Sequence, residues 1–181
     1  KNGNLIFEFG TKAVTFDGHL ITAEDAAVSL KRSIIYKKTS HGDIRNFLCP
    51  GKELKNIKDI CDGIDVLDNK LILKPSKEHY GPLLLTALEN VDYSVIPKVA
   101  LEQSLKIKDY KNTSGPYFVN LDSEKGEIQF KANVKHYMFN DKMPQEINLV
   151  PVDHSHIWDA YLDGNIDLIP TGMMTSGMRA E

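Results

Sequence analysis

Cysteine is scarce: Cys49 and Cys61 are the only two among 181 residues, which excludes a disulfide-rich scaffold and any pair of Cys-x-x-Cys metal clamps. They either bridge a short loop in an oxidising compartment or stay as buried thiols, so alone they do not fix the compartment. No stretch is apolar for long enough to cross a bilayer, and the opening Lys1-Asn2-Gly3-Asn4 lacks the apolar core of a secretion signal. A mature or excised chain would carry none. An excess of positive charge is also missing. With 22 basic against 25 acidic residues the formal charge is -3, which offers no field to hold a phosphate backbone and excludes nucleic acid as a partner. Lysines cluster at 52–58 and 106–111, but interleaved acidic and apolar residues make these solvated faces.

An assembled catalytic set is missing too. There is no Gly-rich phosphate loop. Asp153, His154 and Ser155 supply the residue types of a serine hydrolase triad, yet adjacent side chains point apart and no Gly-x-Ser-x-Gly surrounds them; the cluster reads as a helix cap. His154 and His156, two apart near a helix start, do not share a face and read as surface histidines. Met173, Met174 and Met178 offer thioethers to a soft metal, but a mobile or partly packed terminus explains them more simply. The expectation is a binder with no enzymatic activity, no resident metal and no cofactor.

What is present is ordinary globular material. Hydrophobic residues at 41% and charged residues at 26% suit one domain, or one folded lobe of something larger. Leu5, Phe7 and Phe9 alternate as a strand, and Asp17-Gly18 supplies a tight turn. Thr22 followed three residues on by Asp25 opens a helix over 23–37, whose Ala27, Leu30 and Ile34 share a face. From Thr39 to Lys58 the pattern is irregular, with one helical turn at 44–48. Ile64–Leu67 and Lys70–Leu73 flank Asp68-Asn69 as a hairpin. Tyr80–Leu88 predicts a helix with Pro82 in its first turn, and a further short helix is expected after Pro97, carrying Val99, Ala100 and Leu105. Residues 117–121 and 127–130 read as a second hairpin. Strand 147–150, helix 155–162 and strand 166–169 predict a β-α-β unit with a parallel strand pair.

One run carries a longer pattern. Phe16-Asp17-Gly18-His19-Leu20-Ile21-Thr22-Ala23-Glu24-Asp25-Ala26-Ala27-Val28-Ser29-Leu30-Lys31-Arg32 resembles the segment of the family 5 solute-binding proteins in which a Phe-x-Asp-Gly turn leads into Thr-Ala-x-Asp-Val-x-x-Ser-x-x-Arg. Val66 to Pro75 is similar to that family's hairpin, and Ile96-Pro97-Lys98 to its Ile-Pro-Lys. Thr113-Ser114-Gly115-Pro116-Tyr117 resembles Gly-Thr-Gly-Pro-Tyr with two substitutions, Asn133 to Tyr137 resembles Asn-Pro-x-Tyr with Val134 for proline, and Ala160 to Asp167 is similar to Ala-Leu-x-x-Gly-Glu-Ile-Asp. The resemblance runs from about Leu5 to Ile169.

The resemblance implies an α+β fold, a mixed β-sheet with helices forming part of lobe I of a type II periplasmic-binding-protein fold. Residues 1–181 would be a single partial domain, with the second lobe absent. It implies an ABC-importer component, a cell-surface lipoprotein or periplasmic receptor that touches the membrane only indirectly. Its partners would be a peptide or other small solute and the transporter's permease subunits. The wall of the ligand cleft would be lined by Asn90, Asp92 and Tyr93 after one helix and by Thr171 and Met173 at a strand exit. Tyr117 is expected to pack rather than bind. Members of the family also carry nickel or metal chelates, and similar domains serve as ligand-sensing halves of transcription regulators, so both remain alternative readings.

Overall fold

The computed structural model describes residues 3–36, 44–120 and 128–170. The chain divides into two compact units, one made of residues 1–118 with 132–144, the other of residues 119–131 with 145–181.

The first unit is built on β1 (Leu5–Glu8), β2 (Ile64–Leu67) and β3 (Lys70–Leu73), an antiparallel sheet in the order β1-β3-β2. Its register sets Leu5, Leu73 and Ile64 side by side, with Phe7 opposite Leu71 two residues along, so the strand period collects apolar side chains on one face. That face packs on α1 (Ala23–Tyr36) through Ala23, Ala26, Ala27, Leu30 and Ile34. The α1 start is reciprocal capping: the Thr22 amide donates to Asp25 Oδ2 at 2.9 Å while the Asp25 amide donates to Thr22 Oγ1 at 3.2 Å. Before it, the Gly18 amide closes a turn on Thr15 O at 2.9 Å with Gly18 at φ +88°, a backbone that glycine adopts without a Cβ penalty. The expected helix over 23–37 is thus found to Tyr36, and Lys37 lies outside the described residues.

Asp68 (φ 49°) and Asn69 (φ 56°) both adopt the left-handed conformation that a two-residue hairpin turn demands. Asn69 has a second task. Its Oδ1 accepts from the Ala23 amide at 3.0 Å and its Nδ2 donates to Phe9 O at 3.1 Å, tying the hairpin to the α1 start. Asn69→Gly suits the turn equally well but deletes both bonds. It is expected to cost about 1–2 kcal/mol, read as a lowered urea midpoint by tyrosine fluorescence, and an unshifted midpoint would refute the tie.

Two short helices, α2 (Arg45–Leu48) and α3 (Gly81–Leu88), complete this core, and α3 carries Pro82 in its first turn as expected. Cys49 and Cys61, both buried, are joined as a disulfide with Cα atoms 5.2 Å apart, which settles the open choice between bridge and thiols. The helix expected after Pro97 is only a 3-10 turn, Lys98–Ala100. Backbone groups there bond across the fold instead of along a helix. The Lys98 amide is taken by Asp25 Oδ1 at 2.8 Å, and Leu101 pairs with Ile107 in an isolated antiparallel bridge.

A second sheet is formed by β4 (Tyr117–Asn120), β5 (Ile128–Ala132) and β6 (Glu146–Leu149), in that order, with residues 119–120, 128–131 and 146–149 in the second unit; Ile128 stands opposite Leu149 and Phe130 opposite Ile147 in an antiparallel β5–β6 pair. Residues 121–127, the turn of the expected second hairpin, lie outside the described residues. Asp153 Oδ1 accepts from the Ser155 amide at 2.9 Å, capping a 3-10 turn that leads into α4 (Ile157–Leu162). The β-α-β expectation fails at its last element, because residues 166–169 form no strand. Leu168 is 78% and Ile169 2% exposed, and among the described residues no strand lies beside them to supply a ladder.

Candidate functional site

Helix α1 carries a buried polar stripe at four-residue spacing: Asp25, Ser29 and Ser33, at 3%, 2% and 8% exposure. Each meets the backbone of residues 92–98. Asp25 Oδ1 accepts from the Lys98 amide at 2.8 Å, Ser29 Oγ accepts from the Ile96 amide at 2.8 Å, and Ser33 Oγ donates to Asp92 O at 2.7 Å. An extended segment without a sheet neighbour has its polar groups satisfied this way. Burial pushes the Asp25 carboxyl up, but the Lys98 and Thr22 amides, the Thr22 hydroxyl and His19 outweigh it and hold the group below the usual carboxylate range.

One turn further along α1, a cavity of about 450 Å³ opens in the first unit. Arg32, Tyr36, Asp92, Lys106 and Tyr110 line it. Arg32 is held in place on two sides: its Nε donates to Leu105 O at 2.7 Å, and its guanidinium lies 4.9 Å above the Tyr36 ring. Tyr36 is fixed in turn, its hydroxyl donating to Ser104 O at 2.9 Å. The carbonyl that orients Arg32 belongs to a leucine at φ 63°, a conformation unfavourable for that residue. The Leu105 amide donates to Glu102 O and the Glu102 amide to Lys106 O, both at 2.9 Å, so the small 101–107 hairpin enforces it. The site therefore has two cations, one carboxylate and two phenol rings in a framework held by backbone bonds.

Of the five residues singled out from the sequence, Asn90 and Asp92 come together at one turn. Asn90 Oδ1 accepts from the Asp92 amide at 3.0 Å and caps the 3-10 turn Val91–Tyr93. Asp92 reaches the cavity wall, whereas Tyr93, 5% exposed, packs in the core cluster. Thr171 and Met173 lie outside the described residues, as do Met174 and Met178. Arg32, Tyr36, Lys106 and Tyr110 were not singled out. The signal for the first pair was their four-residue spacing on one helix; nothing local pointed to the second.

Elsewhere the geometry is structural. Ser155 Oγ lies 2.5 Å from Asp153 Oδ1 and 3.0 Å from His156 Nδ1, and that carboxylate oxygen is 4.0 Å from the same Nδ1, so the carboxylate is hydrogen-bonded to the hydroxyl and does not orient the imidazole as a triad aspartate does. The Ser155 hydroxyl and amide hold the Asp153 carboxyl below its usual range. Tyr117, half-buried, donates its hydroxyl to Pro144 O at 2.9 Å. Among the described residues no three His, Cys, Asp or Glu side chains are grouped as a metal site, and no helix is long and apolar enough to cross a membrane.

No protein-family model matches the chain, and no curated protein matches it in sequence. Solved structures do. The substrate-binding domain of an oligopeptide ABC transporter from Bacillus anthracis superposes over 92% of this chain and 34% of its own, with a TM-score of 0.71 at 18% identity. The fold matches that of about a third of this structure. The Escherichia coli murein tripeptide binding protein gives a TM-score of 0.72 at 19% identity over 91% of this chain and 34% of that one. The pheromone receptor PrgZ gives 0.71 at 18% identity over 92% and 35%. The α+β expectation of a solute-binding-protein lobe segment is met, and the chain spans about a third of the length of the structures it matches.

Proposed function

We propose that this chain forms one wall of the ligand cleft in a solute-binding protein that captures peptides outside the cytoplasm and passes them to the permease subunits of an ATP-driven importer. The observation that carries the reading is the likeness to peptide-binding receptors over 92% of the chain. The Cys49–Cys61 bridge supports an oxidising, periplasmic or cell-surface location. In this reading Asn90 and Asp92 meet the ligand and Tyr93 anchors their turn from the core; Thr171 and Met173, outside the described residues, are proposed as further ligand contacts. No observation favours a metal cargo.

Such receptors hold ligand by closing two lobes on it, and closure is driven only by the ligand's differential affinity for the closed state. One wall alone then binds peptides feebly. Calorimetry with a peptide library is expected to show Kd values of roughly micromolar or tighter for the longer protein and no comparable heat for this chain. Tight peptide binding by the 181-residue chain alone would overturn the one-wall reading.

A further inference from the structure

The α1 cavity has a composition that a single charged ligand does not account for. Arg32 and Lys106 call for an anion, but Asp92 stands in the same wall and repels one. Asp92 makes no ion pair with either cation, although an acid and two bases surround one space of about 450 Å³. Separated opposite charges in one small cavity suit a molecule that carries both. Between them stand Tyr36, Tyr110 and Ile107, surfaces that stack on or pack against an apolar group. The volume falls within the range of small-molecule pockets, about 300–1,000 Å³.

The preorganisation points the same way. Arg32 uses Nε on Leu105 O, and among the described residues the outer edge of its guanidinium, the edge that grips a carboxylate with two parallel bonds, meets no acceptor. Its orientation depends on Leu105 staying at φ 63°, a conformation that costs backbone energy wherever a side chain is present. Lys106, exposed beside it, has no acidic partner among the described residues.

We propose that this cavity is a binding site for a free α-amino acid with an aromatic or bulky apolar side chain. Arg32 and Lys106 take the carboxylate, Asp92 takes the ammonium, and Tyr36, Tyr110 and Ile107 receive the side chain. All of these groups lie in the first unit. It shares Asp92 with the receptor reading but does not rest on it: failure of the longer protein to bind peptides would leave it standing, and its own failure would leave untouched the likeness in fold that carries the receptor reading.

The test is an NMR titration of the protein with three probes, L-phenylalanine, phenylacetate and phenethylamine. L-Phenylalanine is expected to shift the Arg32 Nε–H and the Tyr36 and Tyr110 ring signals saturably, with phenylacetate and phenethylamine each binding about tenfold more weakly. Asp92→Asn should abolish the advantage of phenylalanine over phenylacetate while leaving phenylacetate bound. Lys106→Gln, at an exposed and unpaired position, should weaken phenylalanine and phenylacetate but not phenethylamine. Phenylacetate binding as tightly as phenylalanine, equal loss of all three probes in either variant, or no saturable shift would each overturn the proposal. Arg32→Gln is not used, because it also removes the bond that ties α1 to the 101–107 hairpin.

Discussion

Asp25→Ala is expected to lower the stability of the first unit by about 3 kcal/mol, more than its role as a helix cap alone predicts. Its carboxylate accepts from the Thr22 amide at 2.9 Å and the Thr22 hydroxyl at 2.8 Å on one oxygen, and from the Lys98 amide at 2.8 Å on the other. Losing the cap contributes about 1 kcal/mol, and the Thr22 and Lys98 amides left without acceptors add about 1–3 kcal/mol between them. Asp25→Asn keeps one acceptor oxygen and should lose less. The pH dependence has a definite sign. Because the folded-state carboxyl titrates below its unfolded value, the stability it contributes is present above about pH 4 and fades as pH falls through that unfolded value and then the lower folded one. The stability gap between wild type and Asp25→Asn should therefore narrow below about pH 4. Hydrogen exchange of the α1 amides reads both effects. A gap that stays constant from neutral pH to pH 2 would remove the charged hydrogen bonds from the account.

This network shows how much could be read from residues alone. Thr22-x-x-Asp25 announced the helix start, since a cap is a local interaction among neighbours in sequence. The hairpin at Asp68-Asn69 was equally open, because two consecutive left-handed residues are a local demand. What could not be read is that Asp25, Ser29 and Arg32 each spend their side chain on backbone far along the chain, at Lys98, Ile96 and Leu105. Spacing places them on the helix but does not name a partner some seventy residues away. The same non-local bonds defeated the helix expected after Pro97, and the lack of a neighbouring strand among the described residues, which is a tertiary property, defeated the strand at 166–169. At the site, Asn90 and Asp92 came from the resemblance, whereas Lys106 and Tyr110 are brought to the cavity by a hairpin closed with an ordinary leucine where a glycine would have signalled the turn.

Removing the bridge with Cys49→Ala and Cys61→Ala is expected to be about as costly. A cross-link spanning 12 residues restricts the unfolded chain by about 3 kcal/mol in the loop-entropy account. The folded state loses support as well. The bridged loop supplies the Ile57 and Asp59 carbonyls that accept from Lys31 Nζ at 3.1 and 2.9 Å, fastening the loop to α1. Its far end returns against α2, where the Gly63 amide donates to Leu48 O at 3.0 Å. A Cβ on Gly63 would lie 2.3 Å from that oxygen, so the backbones touch with no room for a side chain. With so close an approach, the loop has little freedom to relax once uncoupled. The readout is again the α1 amides, which lie in the same unit as the bridge. Their protection should fall about a hundredfold in the double variant, and dithiothreitol should produce the same fall in the wild-type protein. If reductant opens the bridge and α1 protection is unchanged, the loop is held by its backbone contacts alone and the disulfide contributes nothing to the fold.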